Sequence, residues 1–286
     1  VPTLDVLYRR RALPPGSIRY LAWLFATPRS RDAWCGIFAL QAEWRALLHA
    51  ASDSSVAGPK LAWWHEEMLR LTEGRAVHPI GRFLAALPGA AEVDFRPLVA
   101  AIEAVAIEFS GAPLERAALL PAHADALYGG PLRVAAMLGG GAPEPALGVC
   151  TAAAAAGEYL ARALSRRRHD AGRGFIAFPV DALLAAGIDN AELAAAERSP
   201  RLERYLEARR AEAVDWFERA AQALPSPARP TQRALLVLID LERRRLAARR
   251  DEAPTPSPPA APEEDNAGLA DLWWAWRTAR QATGGR

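Results

Sequence analysis

Apolar side chains in this chain recur every three or four positions rather than at every second one, which is the period of helices with one buried face. Trp34, Ile37, Phe38, Trp44 and Leu48 fall at spacings of three, four and seven, so they predict a helix over 30–50 with a single buried stripe. Gln41 and Arg45 share that stripe. The same reading predicts helices over 17–25, from Pro59 to Gly74, and over 78–87 and 95–110. It continues through 122–138, 145–165, 181–186, 191–197, 200–224 and 230–250. Pro28 sits where the second helix approaches its start, and Gly139-Gly140-Gly141 divides two later ones.

One stretch breaks the pattern. Residues 251–267 are rich in proline and acidic side chains with little to bury, and they predict an extended linker. Beyond it Leu269, Leu272, Trp273 and Trp276 return to helical spacing, giving a short amphipathic helix within 268–286. Residues 1–250 then read as one helical domain, with no internal repeat.

Composition narrows the class. Hydrophobic residues are 51% of the 286, much of that alanine, while β-branched and aromatic runs suited to buried strands are scarce. The expected fold is all-α. Thirty-five basic residues against 33 acidic ones leave a net charge of +2, without the basic excess of a nucleic-acid binder. Cys35 and Cys150 are the only cysteines, too few for a zinc site or a disulfide framework, although a single bridge between them stays open. No run of about 18 apolar residues occurs, and the start lacks the apolar centre of a signal peptide. The expected location is the cytoplasm.

Two segments carry a family resemblance. Leu61-Ala62-Trp63-Trp64-His65-Glu66-Glu67-Met68, continuing to Gly74 and His78-Pro79, resembles a motif of the squalene/phytoene synthases. Pro179-Val180-Asp181 with Leu183, then Gly187-Ile188, resembles a second. Upstream, Pro28, Arg31, Ala33, Phe38, Ala39 and Leu40 match without gaps the helix that bears the family's first metal-binding motif. The resemblance spans about residues 17–250 and implies an isoprenoid-synthase bundle. Active members condense two farnesyl or geranylgeranyl diphosphates, using Mg²⁺ held by two acidic motifs because that cation wants oxygen ligands.

In the same register the first motif's aspartates fall on Arg45 and His49, with Ala46 at the remaining acidic position. The second motif has two possible registers: its aspartates fall on Arg166 and Asp170, or on Leu164 and Arg168. A cation in place of a carboxylate about 5 Å from a metal–diphosphate cluster shifts each charge pair by several kcal/mol at an effective dielectric near 20. Such a pocket implies no cofactor, with Mg²⁺ expected only of an active condensing enzyme. A divergent branch of the family, similar to a mitochondrial complex I assembly factor, also departs from these motifs; it has Asn-x-Glu where this chain has Gln41-Ala42-Glu43. That likeness implies a binding or assembly scaffold whose partner is a protein or an isoprenoid-like ligand.

Candidate cavity or ligand-binding residues are therefore Gln41, Glu43, Arg45, His49, Arg166 and Asp170, with no metal ligands. Against this, Arg45 and His49 could simply pair with carboxylates inside the bundle. Arg166, Arg167 and Arg168 either grip an anion or form a solvated helix end. Trp63 and Trp64 are expected to pack between helices. Trp273, Trp274 and Trp276, with Arg277 and Arg280, form either a docked helix or a contact with the surface of the inner membrane.

Overall fold

Helices in this chain begin where short polar side chains capture free amides. Asp5 accepts from the Leu7 amide ahead of α1 (Val6–Ala12), and Ser17 accepts from Tyr20 ahead of α2 (Ile18–Leu24). The tryptophan-bearing stripe forms α3 (Arg31–Ala50), followed by α4 (Ser54–Thr72), α5 (Pro79–Ala85) and α6 (Arg96–Ser110). Next come α7 (Leu120–Ala124), a π-helical turn (Asp125–Gly129), α8 (Gly130–Leu138) and the long α9 (Pro145–Gly172). The chain continues through α10 (Val180–Ala186), α11 (Asn190–Ala194), α12 (Pro200–Ala223), α13 (Arg233–Ala248) and α14 (Leu269–Ala282). The computed structural model describes residues 3–50, 54–141, 145–248 and 267–284, excepting the side chains of 48–50 and 54–56. Among the described residues there is no strand, so the fold is all-α. The predicted linker over 251–267 lies, apart from Ala267, outside the described residues.

Helix α1 was not predicted, and three predicted helices differ from expectation. The helix predicted to open at Pro59 starts earlier, at Ser54. Proline disfavours helical geometry in the residue before it partly through that residue's Cβ, and here that residue is Gly58. The helix predicted over 122–138 is interrupted by the π-helical turn. Pro131 has no N–H and its ring crowds the carbonyl four residues back, and the Gly130 amide bonds to Asp125, five residues away. Finally, α9 runs on through the arginine triplet to Gly172, because arginine is a good helix former and Arg166 meets Asp170 one turn later.

The bundle is organised around α9, with α12 packed along it and α13 set between α12 and α2. Helix α3 packs against α1, α5 and α8, and α6 lies against α4, α8 and the π-helical turn. Trp34, Phe38, Trp44, Met68 and Leu98 are among the largest fully buried side chains of the main core. Each such side chain contributes roughly 1.5–3 kcal/mol through burial. A smaller core of Phe178, Leu183, Leu193 and Leu202 joins α10, α11 and the start of α12 to the end of α9.

Trp64 is buried as expected, but Trp63 is 43% exposed at the edge of an aromatic group with His78. Glu67, fully buried, accepts from the amides of Val77 at 2.9 Å and His78 at 2.7 Å and from Arg70 Nε at 2.9 Å. It thereby fixes the turn into α5. Gly81 packs against it, where a Cβ would lie 3.0 Å from Glu67 Oε1. Cys35 and Cys150 are both buried free thiols; burial pushes their pKa values up to about 11 and about 12.

Candidate ligand cavity

One face of α9 forms the wall of a cavity of about 480 Å³. Tyr159, Arg162, Ala163, Arg166 and Asp170 follow one another at helical spacing along that wall. Arg45 enters from α3, Glu108 and Phe109 from the end of α6, and Tyr128 from the π-helical turn. Arg173 and Phe175 close the side that follows α9. A glycine after the turn lets α8 pack closely on α6: a Cβ on Gly130 would stand 2.9 Å from the Pro97 carbonyl at the start of α6.

The lining is cationic. Arg45, Arg162, Arg166 and Arg173 face two carboxylates, Glu108 and Asp170. Asp170 is already engaged, 3.3 Å from Arg166 and 2.9 Å from His169 Nδ1. Glu108 lies 3.8 Å from His123. Among the described residues Arg45 donates one long hydrogen bond, 3.4 Å from its Nε to the Gln41 carbonyl of its own helix. Neither Arg45 nor Arg162 has a carboxylate within ion-pair distance among the described residues, though Arg162 lies over the Tyr128 ring, 5.6 Å from its centroid.

A second, smaller pocket of about 20 Å³, room for about one water, shares Arg45, Glu108, Tyr128 and Arg162 with the cavity and is also lined by Arg19, Gln41, Trp44 and Leu127. Arg19 lies 3.5 Å from Glu158, while its Nη1 is buried without a partner among the described residues. Gln41 Oε1 and Trp44 Nε1 are buried without partners in the same sense. Burial, then the charges of Arg19 and Arg162, push the Arg45 guanidinium well below its ordinary pKa. A guanidinium keeps its proton in proteins, so Arg45 stands in this cluster as an enclosed cation that a counter-anion would favour. Burial pushes the Tyr128 phenol up, keeping it a neutral hydrogen-bond donor.

The candidates named from sequence separate. Arg45 meets Arg166 and Asp170 around the cavity, while Gln41 lines the smaller pocket that shares Arg45. Glu43 does not join them; two residues from both Gln41 and Arg45, it faces the other side of α3 and pairs with Arg11 at 2.8 Å. His49 belongs to α3, but its side chain lies outside the described residues. Of the two registers for the second motif, Arg166 and Asp170 face the cavity, while Leu164 packs into the apolar core and Arg168 is exposed.

The arginine triplet divides three ways. Arg166 faces the cavity and Arg168 the solvent, whereas Arg167 is buried and donates to the carbonyls of Glu192, Leu193 and Ala195 at the end of α11. Burial, with Arg198 and Arg168 nearby, lowers the Arg167 pKa to about 10. Sequence reasoning passed over Arg19, Glu108, Tyr128, Tyr159 and Arg162. Arg162 was within reach, one turn before Arg166 on the same face. Glu108 and Tyr128 carried no comparable signal.

The squalene/phytoene synthase family pattern matches residues 15–255. Among solved structures the chain is similar to a dehydrosqualene synthase crystallised with a ligand, at 15% identity and a TM-score of 0.74, over 93% of this chain and 90% of that one. It is also similar to the squalene synthase HpnC from Alicyclobacillus acidocaldarius, at 18% identity and a TM-score of 0.68, over 80% of this chain and 86% of that one. No curated protein matches. The structural likenesses concern the fold, while the match over most of the length concerns descent: the chain belongs to the squalene/phytoene synthase family.

Proposed function

We propose that this protein is a binding member of its family, holding one anionic, lipid-like ligand without metal and without condensing prenyl diphosphates. The observation that carries the reading is the pair of guanidiniums, Arg45 on α3 and Arg166 on α9, facing one cavity, Arg45 from a position where the family resemblance puts an aspartate and Arg166 from such a position in one of the second motif's two registers. Magnesium wants several oxygen ligands. Here Glu108 and Asp170 are the carboxylates in the lining, and Asp170 is shared with Arg166 and His169. Among the described residues no three His, Cys, Asp or Glu side chains group closely enough to hold a metal ion. The residues present do not fit a magnesium–diphosphate cluster.

They suit an anion instead. Arg45, Arg162 and Arg166 supply charge-assisted donors at fixed positions, and Tyr128 adds a neutral hydroxyl. Phe109, Tyr128, Tyr159 and Phe175 offer apolar surface to a hydrocarbon chain. A volume of about 480 Å³ falls within the roughly 300–1,000 Å³ typical of small-molecule sites. Incubation with Mg²⁺ and labelled farnesyl or geranylgeranyl diphosphate tests the reading. Ligand retained without release of diphosphate is the expected result. Release at an enzyme-like rate, abolished by EDTA, would establish the family's condensation chemistry and end this account.

A further inference from the structure

Helix α14 docks on the body by its small side chains. Ala275, Ala279 and Ala282 are buried, and the half-buried Trp274 lies under the Arg244 guanidinium, 3.4 Å from the ring centroid. Polar contacts fix the helix in place: Thr278 Oγ1 donates to Asp240 at 2.8 Å, and Arg245 lies 3.4 Å from Asp271. The Ala267 amide donates to the Gly16 carbonyl, tying the start of the helix to the loop before α2.

The large apolar side chains point the other way. Leu269 is 87% exposed, Leu272 39%, Trp273 49% and Trp276 46%, and their spacing puts them on one outer stripe. The stripe read from sequence as a possible docking face is thus the face left uncovered by the described residues. Arg277 lies over Trp273, 5.5 Å from the ring centroid, and Arg280 over Trp276 at 5.3 Å. Asp271, the helix's one carboxylate, is turned inward to Arg245.

We propose that α14 is an interfacial helix that seats this face of the protein on an anionic lipid surface. Tryptophan favours the boundary between headgroups and acyl chains, where its ring is covered and its N–H stays hydrated. Arg277, beside this stripe, meets lipid phosphates, and among the described residues of α14 no carboxylate faces outward to oppose it. The same charge pattern argues against a second copy of this face as the occupant, because it would bring arginines against arginines. No helix among the described residues is long and apolar enough to cross a membrane, so α14 lies along the surface.

Sedimentation of the full chain with phosphatidylcholine vesicles, with and without phosphatidylglycerol, tests this. Binding is expected to the phosphatidylglycerol vesicles alone and to weaken as salt rises. The double variant Trp273→Ser/Trp276→Ser should lose it, and Arg277→Gln should weaken it about fivefold. Both variants change exposed side chains, so unchanged thermal unfolding by circular dichroism is expected and keeps the result interpretable. Absence of binding to phosphatidylglycerol vesicles, or equal binding by the tryptophan variant, overturns the proposal. So does a solution mass of two chains that falls to one in that variant.

Discussion

Arg166 and Asp170 stand one turn apart on the cavity face of α9, with guanidinium and carboxylate 3.3 Å apart. The carboxylate is therefore held by a fixed cation and by His169. In that arrangement Asp170 orients Arg166 toward the cavity. Asp170→Ala should weaken binding of an anionic ligand through loss of that orientation, although it removes a negative charge from the lining. Calorimetry reads the sign directly: tighter binding in the variant would mean that the carboxylate acts by repulsion alone.

Arg45 separates binding from stability. It is enclosed near Arg19 and Arg162 with no carboxylate partner among the described residues. Replacing an unpaired buried charge with an apolar side chain of similar reach relieves desolvation. Arg45→Met should raise stability by about 1–3 kcal/mol in urea unfolding. The same change should weaken the ligand about tenfold or more, since charge-assisted bonds contribute roughly 1.5–3 kcal/mol. A variant that is less stable and binds unchanged would make Arg45 a structural residue.

Glu67 is the counter-case, a buried carboxylate whose partners are the Val77 and His78 amides in the turn before α5 and Arg70 on its own helix α4. Glu67→Ala leaves the Val77 and His78 amides and Arg70 without their acceptor, so a loss of about 3 kcal/mol is expected. Urea unfolding measures it, and a change near zero would show that water replaces the carboxylate at no cost.

Acid should loosen α14. Burial raises the Asp240 pKa, but hydrogen bonds from Arg244, Thr278 and Arg243 outweigh it and leave the carboxyl below its ordinary 3.8. A depressed folded value means that the stabilisation is complete above the ordinary range and is lost as pH falls through the lower folded value. Hydrogen exchange over 269–282 should therefore be slow near neutrality and rise, after correction for intrinsic rates, below about pH 3.8. Asp240→Asn should show the faster exchange already at neutral pH.

The fold was legible because the core repeats at one period, as Trp34, Ile37, Phe38 and Trp44 do along α3. The π-helical turn was not, because it depends on where the missing amide of Pro131 is compensated, which only packing against α6 and α9 decides. In the cavity, Arg45 and Arg166 were found through the family register, and Arg162 follows from helical spacing. Glu108 and Tyr128 reach the site by tertiary approach, and nothing local to their sequence announces it. Glu43 failed for a geometric reason, being two residues out of phase with its neighbours on α3. On α14 the period was read correctly, but only the structure shows which face docks: alanines inward, tryptophans outward.

Metal independence is tested most directly by calorimetric titration of farnesyl diphosphate into the full chain, in EDTA and again in excess Mg²⁺. With guanidiniums as the counter-charge, affinity should be no weaker in EDTA and should fall in Arg45→Met under both conditions. Binding that appears only with Mg²⁺ would contradict the account.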